Sequence, residues 1–574
     1  MEHRIQNSEF RIQKRVFRRI TGLVAIAIVS GLISLLHSQA PSPGAYDPIV
    51  FKLEFPEGLK FVTDPSRTAK KHQPETMVSG VSLFDYDNDG LLDVYAVNGA
   101  SMPGLEKNDE RYYNRLFKNN GDGTFLDVTQ KAGVKGRGYN LGVVIGDYDN
   151  DGWADIFVAG LRENILYHNN GDGTFADVTG KAGLTQPDPQ YGTLWAVSAA
   201  WLDYDRDGWL DLFVSNYCVW DPVTEPICPT NGQPDYCHPR LYKGLPNSLF
   251  HNNHDGTFAD VSVASGVRKA IGKGMGLGIA DFDDDGWVDV FVANDTLPSS
   301  LFHNQRNGTF KEMAEAGFVA YTDAGKAVSG MGADARDIDN DGLPDIFETA
   351  LVGETMPLYR NMGGMGFEER TFNSALASIA LRKSGWSNGI VDLNNDGWKD
   401  LFAACGDVMD ADGYFSARVP QPNAVFVNMK NGRFADASPT AGTDFARKAV
   451  HRGAAFGDLD DDGRVDAVVT ALNGPLEVWK NVSPNSNHWL RVRLIGTKSN
   501  RDGAGARIKI VTASGAQYDH VNTAVGYGCS SDVRVHFGLG RDALAKELQI
   551  LWPSGNRQVL RDVAADQTLT IKEN

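Results

Sequence analysis

One nine-residue pattern, Asp-x-Asp-x-Asp-Gly-x-x-Asp, returns seven times along the chain, and no other feature narrows its fold so far. Positions one, three, five and nine of each copy supply side-chain oxygens. The first three copies use Asp85, Asp87, Asp89 and Asp93, then Asp147, Asp149, Asp151 and Asp155, then Asp203, Asp205, Asp207 and Asp211. The fourth and fifth use Asp281, Asp283, Asp285 and Asp289, then Asp337, Asp339, Asp341 and Asp345. The last two use Asp392, Asn394, Asp396 and Asp400, then Asp458, Asp460, Asp462 and Asp466. Of these 28 positions 27 are Asp. Alternate carboxylates on a tight loop point at one centre, and hard oxygen ligands in that number suit Ca²⁺ better than a transition metal. Gly at position six lets the backbone turn with positive φ. The carbonyl of position seven can add a neutral ligand.

The first half of the loop resembles an EF-hand loop. The second half departs from it, with Asp at position nine and a strand-like run such as DVYAVN or DIFVAG where an EF-hand would begin a helix. Charge agrees with a metal. The formal net charge is −18 and the 27 Asp ligands contribute −27, so the remainder sums to +9. Seven Ca²⁺ ions would bring the total from −18 to −4. The acidity therefore belongs to the loops and does not imply an acidic surface seeking basic partners, and no nucleic-acid partner is expected.

The intervals between motifs are 62, 56, 78, 56, 55 and 66 residues, the spacing of an array of supersecondary units. Between motifs lie hairpin-like stretches such as NRLFKNNGDGTFLDVT and NILYHNNGDGTFADVT. One unit is thus four strands, one before the Asp loop, one after it, and a hairpin. Seven such units predict an all-β fold, a seven-bladed β-propeller. The final unit has three strands before the pattern changes near Ser483, and FKLEFPEGLKF at Phe51–Phe61 resembles the missing fourth. Pairing the two ends would close the ring and hide the sheet edges.

The Asp loops with FxNNGDGTFxDVT hairpins resemble FG-GAP/VCBS repeats, familiar from integrin α-subunit propellers. The tail HWLRVRLIGTKSNRDGAGARIKIVTASG…HFGLG…LQILWPSGNRQVL resembles the ASPIC/UnbV domain. Together they resemble the cartilage acidic protein family and its bacterial relatives. The resemblance implies an exported Ca²⁺-binding propeller with a small C-terminal β domain; it implies no activity. The expected organisation is a basic and hydrophobic N-terminus over residues 1–40, a linker over 41–48, the propeller over 49–484 and the C-terminal β domain over 485–574.

Six Arg and Lys residues among the first nineteen precede Ile20–Leu36, a run of 17 residues without charge. That reads as an export signal, either cleaved after Ser38-Gln39-Ala40 or retained as an anchor, and both place the rest outside the cytoplasm. Any membrane contact is expected through this segment alone. Cys228 and Cys237 sit in the longest insertion of an exported chain, so a disulfide between them is expected, with Cys218 a rival partner. Cys405 and Cys529 read as small buried residues. A Zn site at Cys237-His238 lacks further spaced ligands.

Gly385-Trp386-Ser387-Asn388-Gly389 matches the G-x-S-x-G nucleophile elbow, but the repeats overrule it. Five residues before each first Asp stand Gly80, Gly142, Ser198, Gly276, Gly332, Ser387 and Gly453, a column of small residues expected where the inner strands crowd the axis. No helix pattern follows Ser387. His168, His251 and His303 share a column with Lys118, Arg360 and Val427 and read as exposed repeat positions.

The loops between blades, opposite the Asp loops, hold Arg137, Trp195, Lys273, Lys326, Arg382, Lys383, Trp386, Arg447, His451 and Arg452. They are expected to ring the axial mouth and to capture an anionic glycan or protein segment. The insertions Ser101–Arg111, Asp221–Gly244 and Asp407–Pro422 share that face. The sequence thus points to an exported, Ca²⁺-stiffened binding scaffold without catalysis. The alternatives are a carbohydrate-active lyase or dehydratase with a neutral His, Tyr or Lys base beside the mouth cations, where His72 and His451 are the only His candidates, or an accessory factor in a biosynthetic pathway.

Overall fold

The computed structural model describes residues 46–574, apart from positions 186, 231, 409–418 and 485. The apolar run Ile20–Leu36 and the proposed cleavage site lie outside the described residues. Among the described residues, no helix is long and apolar enough to cross a membrane. Tyr46–Asn574 form one compact unit.

Each Asp motif turns the chain between two antiparallel strands, and the second strand begins on the ninth-position Asp: Asp93–Ala96, Asp155–Leu161, Asp211–Asn216, Asp289–Asn294, Asp345–Glu348, Asp400–Cys405 and Asp466–Ala471. The strands before the loops are Val81–Phe84, Tyr139–Gly146, Ala196–Leu202, Gly274–Ala280, Ala333–Arg336, Gly385–Val391 and His451–Gly457. A hairpin completes each of the first six sheets, as Ile165–Asn169 with Phe175–Asp177 does in the second. These are seven four-stranded sheets among the described residues, and their first strands touch in chain order around a closed circuit, the last against the first. Aliphatic and aromatic side chains fill the space between neighbouring sheets, as Val144, Phe157 and Leu166 do against Trp201, Leu212 and Val214.

The seventh sheet takes its outer strand from the start of the described chain. Phe51–Glu54 pairs antiparallel with Glu477–Asn481, Phe51 opposite Asn481 and Glu54 opposite Val478. Phe51 is buried, stacked on Phe445 with ring centroids 5.6 Å apart. The expected closure through the N-terminal strand is what the structure contains.

The C-terminal domain has a three-stranded sheet centred on His488–Ile495 and a four-stranded sheet ordered Ala516–His520, Arg507–Val511, Leu544–Leu551, Arg557–Ala564. Leu490, Val492, Ile508, Ile510, Leu548 and Trp552 form its core. It is not an appendage. Its segment His520–Asp532 enters the propeller axis and hydrogen-bonds to all seven first strands. Ser530 pairs with Val81 and Leu83, and Gly528 O accepts from Val143 N at 3.0 Å. Thr523 Oγ1 bonds Trp201, and His520 Nε2 donates to Ile279 O at 2.8 Å. Gly526 pairs with Ala333 in both directions. Ser387 Oγ accepts from Tyr527 N at 3.1 Å, and Ser531 Oγ accepts from Phe456 N at 2.9 Å.

This plug gives the small-residue column a second cause. A Cβ on Gly276 would meet Gly526 O at 2.5 Å as well as Ala333 N at 2.4 Å, and one on Gly453 would meet Cys529 Sγ at 2.8 Å. The plug itself needs glycine. Gly526 has φ +60°, and a Cβ there would lie 2.1 Å from Ser387 Oγ. Ser387 is thus a packing and hydrogen-bonding residue of the axis.

Candidate functional site

The seven Asp loops share one hydrogen-bond scheme, shown by the second. Asp147 Oδ1 accepts from Asp151 N at 3.0 Å and its Oδ2 from Gly152 N at 2.7 Å. Asp151 Oδ1 accepts from Trp153 N at 2.8 Å. Asp155 Oδ2 accepts from Tyr148 N at 3.2 Å and its Oδ1 from Asn169 N at 2.8 Å. Positions one, five and nine are therefore held by backbone amides. Position three is different. Oδ1 of Asp87, Asp149, Asp205, Asp283 and Asp339 is buried with no hydrogen-bond partner, the same atom in five loops. Buried polar atoms are rarely left unsatisfied, and an acceptor orphaned at the same place in five loops is of the kind that a cation could satisfy. Groups such as Asp85, Asp87 and Asp93, or Asp147, Asp149 and Asp151, bring their carboxylate oxygens within 4.8 Å of one another, close enough to hold a metal ion. Burial, added to by neighbouring carboxylates, pushes Asp93 and Asp203 each up to about 8. The donor set fits a hard divalent cation, which would relieve that crowding.

Two features of these loops were not read from the sequence. First, the third strand aims a base at each fully acidic loop. Lys118 pairs with Asp87 and Asp89, Arg360 with Asp339 and Asp341, and Lys480 with Asp460. His168 Nδ1 lies 3.2 Å from Asp149, and His251 Nδ1 3.3 Å from Asp205. His303 lies 3.1 Å from Asp289. These histidines are not free exposed positions, as the sequence reading had them; they are partly buried against the carboxylates. Only the Asn394 loop, with one charge fewer, has an apolar residue, Val427, in this column, with Lys430 reaching Asp396 at 3.1 Å instead.

Second, the loops are strapped to one another. The fourth-position side chains Asn88, Asn150, Asn340 and Asn395 donate to the sixth-position Gly carbonyl of the next loop at 2.8–3.0 Å. The fourth positions of the other three loops are Arg206, Asp284 and Asp461, and there the C-terminal domain intervenes. Arg206 Nε donates to Pro553 O at 2.6 Å, Arg507 binds Asp284, and Arg491 binds Asp461 together with Asp458. The C-terminal domain covers the Asp-loop face.

The opposite mouth differs from the expected open ring of cations and aromatics. Trp195, Lys273, Trp386, His451 and Arg452 are buried. Arg452 lies over the Trp386 ring at 3.8 Å and donates to the carbonyls of Thr76, Gly406, His451 and Asp407. Its burial lowers it to about 9. Arg137 turns to Glu163 and Asp177, and Arg447 to Glu477. Lys383 donates to Pro422 O and Asn423 O, both at 3.0 Å. Lys326 and Arg382 remain exposed. The cause is electrostatic, since cations beside available acids and carbonyls engage them rather than wait for a ligand.

The mouth is also roofed. Glu225, from the long insertion, accepts from Gln73 N at 2.8 Å and Tyr242 OH at 2.9 Å and bonds His72 Nδ1 at 2.5 Å. The insertion is stapled by the expected Cys228–Cys237 disulfide, with Cα atoms 5.2 Å apart, while Cys218, Cys405 and Cys529 are free and buried. His451 is buried between Glu477 and Cys405 O. Neither histidine offers an open base at the mouth.

Comparison with known proteins places this geometry. The FG-GAP-like repeat model matches residues 85–158, 147–214, 281–348 and 392–469, and the ASPIC and UnbV model matches residues 496–574. Cartilage acidic protein 1 of Mus musculus is 25% identical over 505 residues, covering 86% of this chain and 64% of the relative. The Homo sapiens protein is 25% identical over 507 residues, covering 86% and 62%. The chain thus spans a little under two thirds of the length of these curated relatives. Among solved structures, an Agrocybe aegerita lectin recognising non-reducing terminal N-acetylglucosamine aligns with TM-score 0.35 at 17% identity, over 68% of this chain and 94% of the lectin. Bacillus licheniformis rhamnogalacturonan lyase PL11 aligns with TM-score 0.37 at 12% identity, over 75% of each chain. YCF48 bound to D1 peptide aligns with TM-score 0.39 at 9% identity, over 76% of this chain and 99% of its own. At these scores the likenesses carry no functional argument.

Proposed function

We propose, for a chain that carries FG-GAP-like repeats and an ASPIC and UnbV domain and is homologous to cartilage acidic protein 1, that it is an exported calcium-binding scaffold for recognition of an anionic glycan or protein ligand. The observation that carries the metal is the buried, unpartnered Oδ1 of Asp87, Asp149, Asp205, Asp283 and Asp339, repeated at one place in five loops. Oxygen-only ligands on a flexible backbone suit Ca²⁺, which accepts varied geometry, better than Mg²⁺. Ca²⁺ when bound supplies the positive charge that these acids share. The side chains at positions one, three, five and nine would hold it, with the amides of positions five, six and seven already orienting the carboxylates. The straps from Asn88, Asn150, Asn340 and Asn395 then pass the order of one loop to the next.

Export is supported by the basic flank and apolar run of the N-terminus and by the Cys228–Cys237 disulfide, a bond favoured in oxidising compartments. Weak Ca²⁺ sites also suit extracellular fluid.

The test is calcium titration by calorimetry with thermal unfolding in Ca²⁺ and in EDTA. If each loop has Kd ~0.1 mM, ~1 mM Ca²⁺ adds roughly 1.4 kcal/mol per site by mass action. Seven such sites sum to about 10 kcal/mol, the size of a whole domain's stability. Chelation is expected to lower Tm by well over ~10 °C. The Asn394 loop should be the weakest. A melting curve indifferent to EDTA overturns the reading.

A further inference from the structure

Around the third, fourth and fifth loops the straps are replaced by contacts with the C-terminal domain, Arg206 with Pro553 and Arg507 with Asp284, and beside these contacts a gap is left between domain and propeller. A cleft of about 420 Å³ lies between them, within the size range of small-molecule sites and at the kind of domain boundary where such sites occur.

Its walls are chemically specific. Arg557, on the domain's edge strand, is exposed and makes no side-chain hydrogen bond or ion pair among the described residues. Two buried donors on the wall, Asn522 Nδ2 and Trp552 Nε1, have no acceptor. Trp287 and Tyr518, both part-exposed, add flat aromatic faces, and Arg206 lies over the Trp287 ring at 5.3 Å. Unused donors, a free guanidinium fork and aromatic faces together describe a ring-shaped guest that bears acceptors and a carboxylate.

The formal charge of the lining adds a condition. Asp203, Asp281, Asp284, Asp285, Asp337 and Asp519 face Arg206, Arg507 and Arg557, a sum of −3 that repels an anion. Ca²⁺ in the third, fourth and fifth loops would add six positive charges behind that lining and offset half of the charge of their twelve ligand carboxylates, which lessens the repulsion. We propose that this cleft binds a small carboxylated sugar, and does so only when the three adjoining loops hold Ca²⁺; this rests on the calcium-scaffold reading above. The cleft takes the place of the axial mouth as the ligand site. Arg557 grips the carboxylate, and the orphan donors take ring or hydroxyl oxygens.

The experiment is calorimetry and tryptophan fluorescence on the full-length protein with D-galacturonate and D-glucuronate. D-galactose and inorganic phosphate serve as comparison probes, in Ca²⁺ and in EDTA. At least one uronate should bind in Ca²⁺, at least about tenfold more tightly than galactose or phosphate, and binding should vanish in EDTA. Arg557→Ala should weaken uronate binding about tenfold while leaving the Ca²⁺-loaded Tm unchanged. Protein whose Tm rises with Ca²⁺ but which binds neither uronate overturns the cleft assignment and leaves the scaffold standing. Uronate binding that persists in EDTA overturns the calcium condition. Phosphate binding as tight as uronate, or an Arg557→Ala variant with full affinity, overturns the sugar-acid site.

Discussion

The Tyr527 hydroxyl donates to the Met77 carbonyl at 3.0 Å across a sequence separation of 450 residues. The bond ties the tip of the axial plug, which belongs to the C-terminal domain, to the segment that roofs the mouth opposite the Asp loops. Tyr527 also meets Trp386 edge to face, with ring centroids 5.1 Å apart, beneath the Arg452 guanidinium. One loop therefore joins both faces of the ring.

Removing that joint should be costly. Tyr527→Ala deletes a fully buried aromatic side chain and is expected to destabilise by about 3–5 kcal/mol. Tyr527→Phe keeps the packing but orphans the Met77 carbonyl, at about 1–3 kcal/mol. Urea unfolding of both variants checks the order, and a Tyr527→Ala protein within experimental error of wild type refutes the plug's role.

Deleting residues 46–61 should leave Glu477–Asn481 as an unpaired edge and uncover the face that Phe51 closes against Phe445 and Phe402. The expected product is aggregated or poorly expressed. Size-exclusion chromatography gives the answer; a monomer with wild-type Tm would rule out closure by this strand.

Acid should loosen the seat of the C-terminal domain through His520. Burial lowers this imidazole from its ordinary 6.5 to about 4, helped by the Arg336 and Lys399 cations and opposed by Asp519. The unfolded chain binds that proton more readily than the folded one. The neutral imidazole's contribution is thus fully present above pH ~6.5 and is lost progressively as pH falls toward ~4, to a total of about 3 kcal/mol. His520→Gln, which can still donate to Ile279 O, should flatten the Ca²⁺-saturated stability profile between these limits. An unaltered slope in the variant would assign the acid sensitivity elsewhere.

The repeat architecture was legible because every sheet carries an Asp loop and the first six add a hairpin whose turn holds Asn and Gly, as Asn120-Gly121-Asp122-Gly123 does in the first. Even the closing strand showed, since Phe51–Phe61 imitates the outer strand of other sheets. The plug did not show. Its interactions are long-range backbone bonds from a Gly-rich loop, and such a segment has no hydrophobic period to read. Its trace is the small-residue column at Gly276 and Gly453, which crowding of the inner strands also explains. The mouth was misread for a different reason. Loop position predicts which face a residue occupies, but not that Arg137 finds Asp177, or Arg447 finds Glu477, before any ligand does.

The pairing of Glu54 with Val478 also sets a clock. The strand Phe51–Glu54 leaves the ribosome 424 residues before its partner does. At about 5–20 residues per second, it waits roughly 20 to 85 seconds with an open edge. The axial plug, later still, arrives after the strands of all seven propeller sheets have been made. The nascent ring therefore spends its whole synthesis both unclosed and hollow, so its dependence on a holding chaperone should be set by chain length rather than by the stability of any single sheet.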